Sequence, residues 1–218
     1  MLTAICFLLP AVFMWLYWFF IPAIKSMRLS FYNYSYITPE RTEFVGFDNF
    51  VRLFHDKDFL KALQHTFLMV AVVVLLIAVL AFLIAVLLDG NLRGKTFFRT
   101  VYYMPYVISS VAVSIFFMYF FVKGGIGSRF FSLFGLKDTT WFTSTKYALF
   151  LIIIIYVWQQ IGFYMILYIS GLQNISAELY EVAKIDGANK AQCIWYITFP
   201  LVKPTTYLVI TLGMINAF

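Results

Sequence analysis

From Phe67 to Leu88 the chain runs through 22 residues without one polar or charged side chain. At about 1.5 Å per residue a helix of that length reaches ~33 Å, enough to cross a ~30 Å hydrocarbon core. Inside hydrocarbon no water is available to the backbone, so such a segment must satisfy its own N–H and C=O groups, which means a helix. The run does not stand alone. Leu2–Ile24 is uncharged for 23 positions, and Val101–Val122, Tyr147–Ile169 and Thr205–Phe218 are further apolar segments. With 63% hydrophobic and only 12% charged residues, against about 25% charged in soluble domains, the chain reads as an all-α polytopic membrane protein of five spans. The formal net charge of +6 comes with no basic cluster able to track phosphates, so nucleic acid is excluded as a partner. Cys6 and Cys193 are too few and too far apart for a disulfide framework or a metal site, and read as small apolar residues.

The first run lacks a basic leader and an obvious small-residue cleavage site, and it is longer than a signal core, so it reads as a retained helix. Pro10 and Pro22 are places for a kink or an end, and Trp15, Tyr17 and Trp18 suit an aromatic belt. Lys25–Thr66 is a polar stretch of mixed charge. Within it Asp48-Asn49 opens a segment with Phe50, Leu53 and Phe54 at i, i+3, i+4, and Asp58–Leu63 repeats the device. Two short amphipathic helices on the membrane surface, or a packed extramembrane loop, fit this pattern equally.

Asp89-Gly90-Asn91 is a turn signal after the second span. The Gly94-Lys95-Thr96 that follows imitates the end of a phosphate-binding loop. The glycine required five residues before Gly94 is replaced by Asp89, and a membrane helix stands where a strand is needed, so nucleotide binding by this chain is rejected. The third span has Pro105 one turn inside and Ser109, Ser110 and Ser114 as interhelical contacts. Lys123–Lys146 is a loop whose Gly124-Gly125-Ile126-Gly127 is flexible and follows nothing strand-like. In the fourth span Trp158, Gln159 and Gln160 lie mid-membrane, with Tyr164 one turn later. Amides at that depth require partners, either through helix–helix hydrogen bonds or as the lining of a polar substrate path in which Trp158 or Tyr164 stacks on a sugar face. Thr205–Phe218 covers only about 21 Å. This fifth span is therefore expected to be incomplete, with a helix running on past Phe218, and a trimmed N-terminus is expected as well.

Between the last two spans, residues 171–203 form a polar element. Asn174 and Ser176 offer N-cap oxygens, and Glu178 and Glu181 fall where the helix dipole favours negative charge. Leu179, Val182 and Ala183 make a short apolar stripe. Asp186-Gly187 breaks the helix, and a second helix starts near Ala188 or Asn189, presents Ile194, Trp195 and Thr198, and stops at Phe199-Pro200. Helix, sharp turn, helix at the bilayer face is a docking shape; an ordinary interfacial loop is the plainer reading.

Glu181-Val182-Ala183, Lys184-Ile185-Asp186-Gly187-Ala188 and Ile197-Thr198-Phe199-Pro200 closely resemble the EAA loop of permease subunits of binding-protein-dependent ABC importers. Val182 stands where the middle alanine is usual. Phe44–Phe50, Gly94–Arg99 with Met104-Pro105, Trp158 with Gly162-Phe163, and Gly171-Leu172-Gln173 are similar to the carbohydrate (maltose-type, MalF-like) branch. The resemblance implies a type I ABC importer transmembrane fold, with a sixth span missing here, forming a single permease domain over residues 1–218. It implies a second homologous permease subunit, a cytoplasmic ABC ATPase dimer that binds the ATP, an extracellular substrate-binding protein, and a sugar or oligosaccharide as cargo. The setting it implies is a bacterial or archaeal inner or plasma membrane. Glu181, Val182, Ala183, Asp186, Gly187 and Ala188 would form the ATPase-contacting element, with Glu181 and Asp186 as its charged contacts. Charge alone points the other way. The side opposite this element carries ten Lys/Arg and its own side six, so the positive-inside preference would place it outside. Its cytoplasmic placement rests on the resemblance.

Two other classes fit less well. An ion-coupled secondary transporter of a small polar solute usually has ionisable residues inside its spans, and the four complete spans here have none. For an enzyme, His55 and His65 are the only histidines, and no nucleophile–base arrangement is visible, so neither catalytic residues nor a cofactor are expected.

Overall fold

The computed structural model describes residues 2–90, 92–136, 139–145 and 147–218. Asn91 of the expected turn and Lys146 at the end of the expected loop lie outside the described residues. The chain divides into two compact units, residues 1–64 and 65–218.

In the first unit, α1 (Leu2–Trp15) passes through a π-helical stretch, Leu16–Phe20, into α2 (Ile21–Leu29). The helix expected to end near Ile24 thus continues through Lys25 and Arg28. Pro22 falls in the first turn of α2 and does not stop it. The Ile21 amide bonds back five residues to the Leu16 carbonyl, and this wider turn accommodates the proline ring and its missing N–H. Two-residue strands follow, β1 (Tyr32–Asn33) and β2 (Glu43–Phe44), paired antiparallel with Tyr32 opposite Phe44. The pattern of side chains gives no hint of this ribbon. The Asn49 amide donates to the carbonyls of Ser30 (2.9 Å) and Tyr32 (3.0 Å), tying α3 (Asp48–His55) to the end of α2, and Phe31 packs on Phe47 and Phe50. The second surface helix is corrected. Residues 58–63 are the opening turns of α4 (Lys57–Asp89), capped by Asp56 Oδ1, which accepts from the amides of Asp58 and Phe59. No Gly or Pro interrupts α4, so nothing separates the polar turns from the apolar run.

In the second unit, α4 continues to Asp89. Gly94, in the left-handed conformation (φ +83°), starts α5 (Lys95–Val107), and α6 (Ser110–Phe120) follows. The third span, expected as one helix over 101–122, is bent by 90° between these two. Pro105 lies inside α5, and the chain leaves helical geometry three residues later at the extended Ile108 and Ser109. A loop with α7 (Ile126–Ser132) packs Phe121, Trp141 and Leu151 together. The long α8 (Ala148–Gln173) then leads to α9 (Ala177–Ile185), α10 (Lys190–Cys193), α11 (Phe199–Leu201) and α12 (Lys203–Ala217). Among the described residues three helices are long and apolar enough to cross a membrane, and two bent pairs raise the number to as many as five.

The core lies between α4, α8 and α12. Val73, Ile77, Ala81 and Ala85 recur every fourth residue and face Val157, Ile161, Tyr164, Met165 and Tyr168 of α8, with Val209 of α12. Among lipid tails apolar burial gives little driving force, so close approach and interhelical hydrogen bonds hold the helices. Both are present. A Cβ on Gly162 would run into the Tyr102 carbonyl and lie 2.7 Å from Tyr103 Cα, so α5 and α8 touch backbone to backbone there. Tyr156 Oη donates to the Asn216 carbonyl (2.8 Å), the Asn216 amide donates to Tyr164 Oη (3.2 Å), and Tyr168 Oη donates to Thr206 Oγ1 (3.3 Å).

Candidate functional site

The surface element begins at Ser176, whose Oγ accepts from the Glu178 amide at 3.3 Å and caps α9. Asn174 does not cap. Its amide donates to the Ser170 carbonyl (3.0 Å), closing α8. The end of α9 is a Schellman turn. The Ala188 amide reaches back to the Ala183 carbonyl (2.8 Å) and the Gly187 amide to that of Lys184 (3.2 Å), with Gly187 at φ +79°. A capping box starts the next helix at once, the Asn189 side chain accepting from the Gln192 amide (2.9 Å) and Gln192 Oε1 from the Asn189 amide (2.8 Å). Two consecutive helix ends are thus satisfied within the local sequence, and the turn between them is set without help from elsewhere.

Residues 190–201 are helical throughout, with a π-helical stretch at Ile194–Thr198. Phe199-Pro200 is therefore not the stop. As at Pro22, the π-turn precedes the proline and admits it, and the chain bends only at Val202, by 66° into α12. Tyr180 Oη and Thr198 Oγ1 lie 2.9 Å apart and join α9 to this second helix.

Among the six residues of the predicted docking motif, Glu181, Val182, Asp186 and Gly187 are exposed, Ala188 is half-buried and Ala183 is buried. The expected apolar stripe is only partly used, since Ala183 faces inward while Leu179 and Val182 look out. Of Ile194, Trp195 and Thr198, expected on the presenting face, only Trp195 is exposed. Thr198 is buried in its bond to Tyr180, and Ile194 is half-buried. Tyr196 and Ile185, at 80% and 85% exposure, extend the outward surface. A face with two carboxylates beside large exposed apolar side chains suits a protein partner that brings basic and apolar groups.

The four mid-span residues of α8 do not converge. The Gln159 amide is buried and donates to the Ile108 carbonyl and to Ser110 Oγ, both at 3.3 Å, where the third span breaks. Gln160 lines the same cleft of about 480 Å³, together with Ser110, Ser114 and Tyr156. Trp158 turns away, edge-on to Phe117 at 5.5 Å, beside an apolar hollow with Val101 and Pro105. Tyr164 is fully buried against α12 and bonded to Asn216. Ser110, expected as an interhelical contact, makes one to Gln159, whereas Tyr156 and Asn216 escape a reading of the sequence. Asn216 alone had a signal, as an amide in an apolar run. Among the described residues no three His, Cys, Asp or Glu stand close enough to hold a metal ion.

Comparison with known proteins matches residues 77–218 to the family described as "Binding-protein-dependent transport system inner membrane component". A probable ABC transporter permease protein of Bacillus subtilis, YurN, is 32% identical over 97% of this chain and 74% of its own length. The multiple sugar-binding transport system permease protein MsmF of Streptococcus mutans is 31% identical over 95% of this chain and 71% of its own. Among solved structures, a chain of a bacterial alginate ABC transporter superposes with a TM-score of 0.81. It is 26% identical over 95% of this chain and 69% of that one, in a crystal containing an alginate pentasaccharide-bound periplasmic protein.

Proposed function

Because the chain belongs to the family of binding-protein-dependent transport system inner membrane components, we propose that it is a membrane-embedded permease subunit of an ATP-driven sugar or oligosaccharide importer. One observation carries the docking part of this reading. The Schellman turn at Gly187 and the capping box at Asn189 hold Glu181 and Asp186 outward on a rigid helix–turn–helix next to the ends of α8 and α12. Such an element transmits a push, since its two helices are joined by the Tyr180–Thr198 bond and run directly into membrane helices.

In this reading Glu181, Val182, Ala183, Asp186, Gly187 and Ala188 form the contact for one subunit of a cytoplasmic ATPase dimer. ATP is bound and hydrolysed there and not by this chain. A second permease of the same fold completes the pathway, and an extracellular binding protein delivers the cargo. Sugar as cargo is supported by relatives named for multiple-sugar and alginate transport. Gln159 and Gln160, which line one cleft, are proposed for the substrate path; Trp158 and Tyr164 face other parts of the molecule. The membrane is the inner or plasma membrane of a bacterium or archaeon.

The test is co-purification of the full-length chain with its ATPase, comparing the native protein with Glu181→Ala and Gly187→Pro. Loss of the ATPase from both variants, with the permease still folded, supports the docking assignment. Retention of the ATPase by both overturns it.

A further inference from the structure

Where α4 and α8 end, at Asp89 and Gln173, a cleft of about 290 Å³ opens beside the surface element. Its floor is apolar, made by Val86, Leu172 and Ile194. The exposed Lys184, Lys190 and Asp89 form its rim, with the half-buried Tyr180 and the buried Thr198 lining it further in. Lys184 stands one turn beyond Tyr180 on α9, and Lys190 opens α10, so the two cations come from separate helices to one opening. Among the described residues neither lysine is in an ion pair.

We propose that this cleft binds the headgroup of an anionic glycerophospholipid from the adjoining leaflet. The cleft opens where two membrane-long helices end, so the first carbons of an acyl chain would meet apolar Val86 and Ile194 while the phosphate meets the lysines. Basic pockets between helices at the membrane surface favour such headgroups, at about fivefold in affinity per lysine. The rim carries net +1, which complements one phosphate diester, and Asp89 accepts hydrogen bonds from glycerol hydroxyls of the headgroup. The lipid would bridge the spans to the element that carries Glu181 and Asp186, and so set how freely that element moves.

The test uses the full-length permease without its ATPase, so its outcome is independent of docking. Native mass spectrometry would count lipids retained by protein titrated with phosphatidylglycerol, with phosphatidylcholine, and with inorganic phosphate in phosphatidylcholine. The expected result is one tightly held phosphatidylglycerol, with affinity about 25-fold lower in Lys184→Gln/Lys190→Gln and unchanged in Arg93→Gln/Lys203→Gln, two basic residues that do not line the cleft. Val86→Trp, which fills the floor and keeps both charges, should also release the lipid. Equal retention of both lipids, equal loss in the two charge variants, or displacement of phosphatidylglycerol by inorganic phosphate would overturn the proposal.

Discussion

The Gln159 side chain crosses from α8 to the carbonyl of Ile108, 51 residues earlier, at the point where the third span turns through 90°. A carbonyl freed by a helix break at membrane depth has no water to turn to, and this amide supplies its partner. Gln159→Leu should cost about 1–3 kcal/mol, seen as a lower thermal unfolding midpoint in detergent. Gln160→Leu, whose amide makes no hydrogen bond among the described residues, should leave that midpoint in place while changing sugar uptake.

Gly187→Ala tests the turn by itself. Nothing lies within 4 Å of an added Cβ, so the penalty is purely that of a left-handed backbone at φ +79°. About 1 kcal/mol of stability should be lost, and Gly187→Asn should lose less, because asparagine tolerates this conformation better. Thermal unfolding of the three proteins side by side decides it.

Gly162→Ala should be far worse than Gly213→Ala, although both place a methyl group on a membrane helix. At Gly162 the new Cβ meets the backbone of Tyr102 and Tyr103, which cannot rotate away. At Gly213 it meets the Val74 side chain at an ordinary 3.5 Å. A loss of about 2 kcal/mol or more, with reduced yield of folded protein, is expected for the first and little change for the second.

Tyr180→Phe removes the bridge between the two helices of the surface element while keeping the ring. Thr198 retains a bond to the Cys193 carbonyl (3.3 Å), so the cost to stability should be about 1 kcal/mol or less. The larger effect should be on coupling. ATP hydrolysis by the assembled transporter should respond less to the loaded binding protein, with the ATPase still co-purifying.

The surface element was legible because its determinants are local. Ser176, Gly187, Asn189 and Gln192 act within a few residues of one another, and their spacing shows in the chain. The unbroken apolar run of α4 was legible for the same reason, though its polar first turns read as a separate helix because no periodicity distinguishes the two cases. The break at Ile108 was not legible. Pro105 signals a disturbance but not its place, and the group that stabilises the break comes from another helix. The divergence of Trp158, Gln159 and Tyr164 was hidden too. Neighbours on a helix face different ways, and which of them meets a cleft depends on where α5, α6 and α12 pack. The β1–β2 ribbon, two residues per strand, is too short to leave any alternation.

The π-turn at Ile194–Thr198 holds one residue more than an α-helix would need to cover the same length. The wider turn absorbs that residue within about one full winding, so deleting one residue there would restore α-helical geometry and leave Glu181 and Asp186 close to their present bearing. The cost would fall on Pro200. In a regular helix its ring meets the carbonyl four residues back, and the helix would kink or break there. The extra residue is therefore what lets a proline sit inside an otherwise continuous helix.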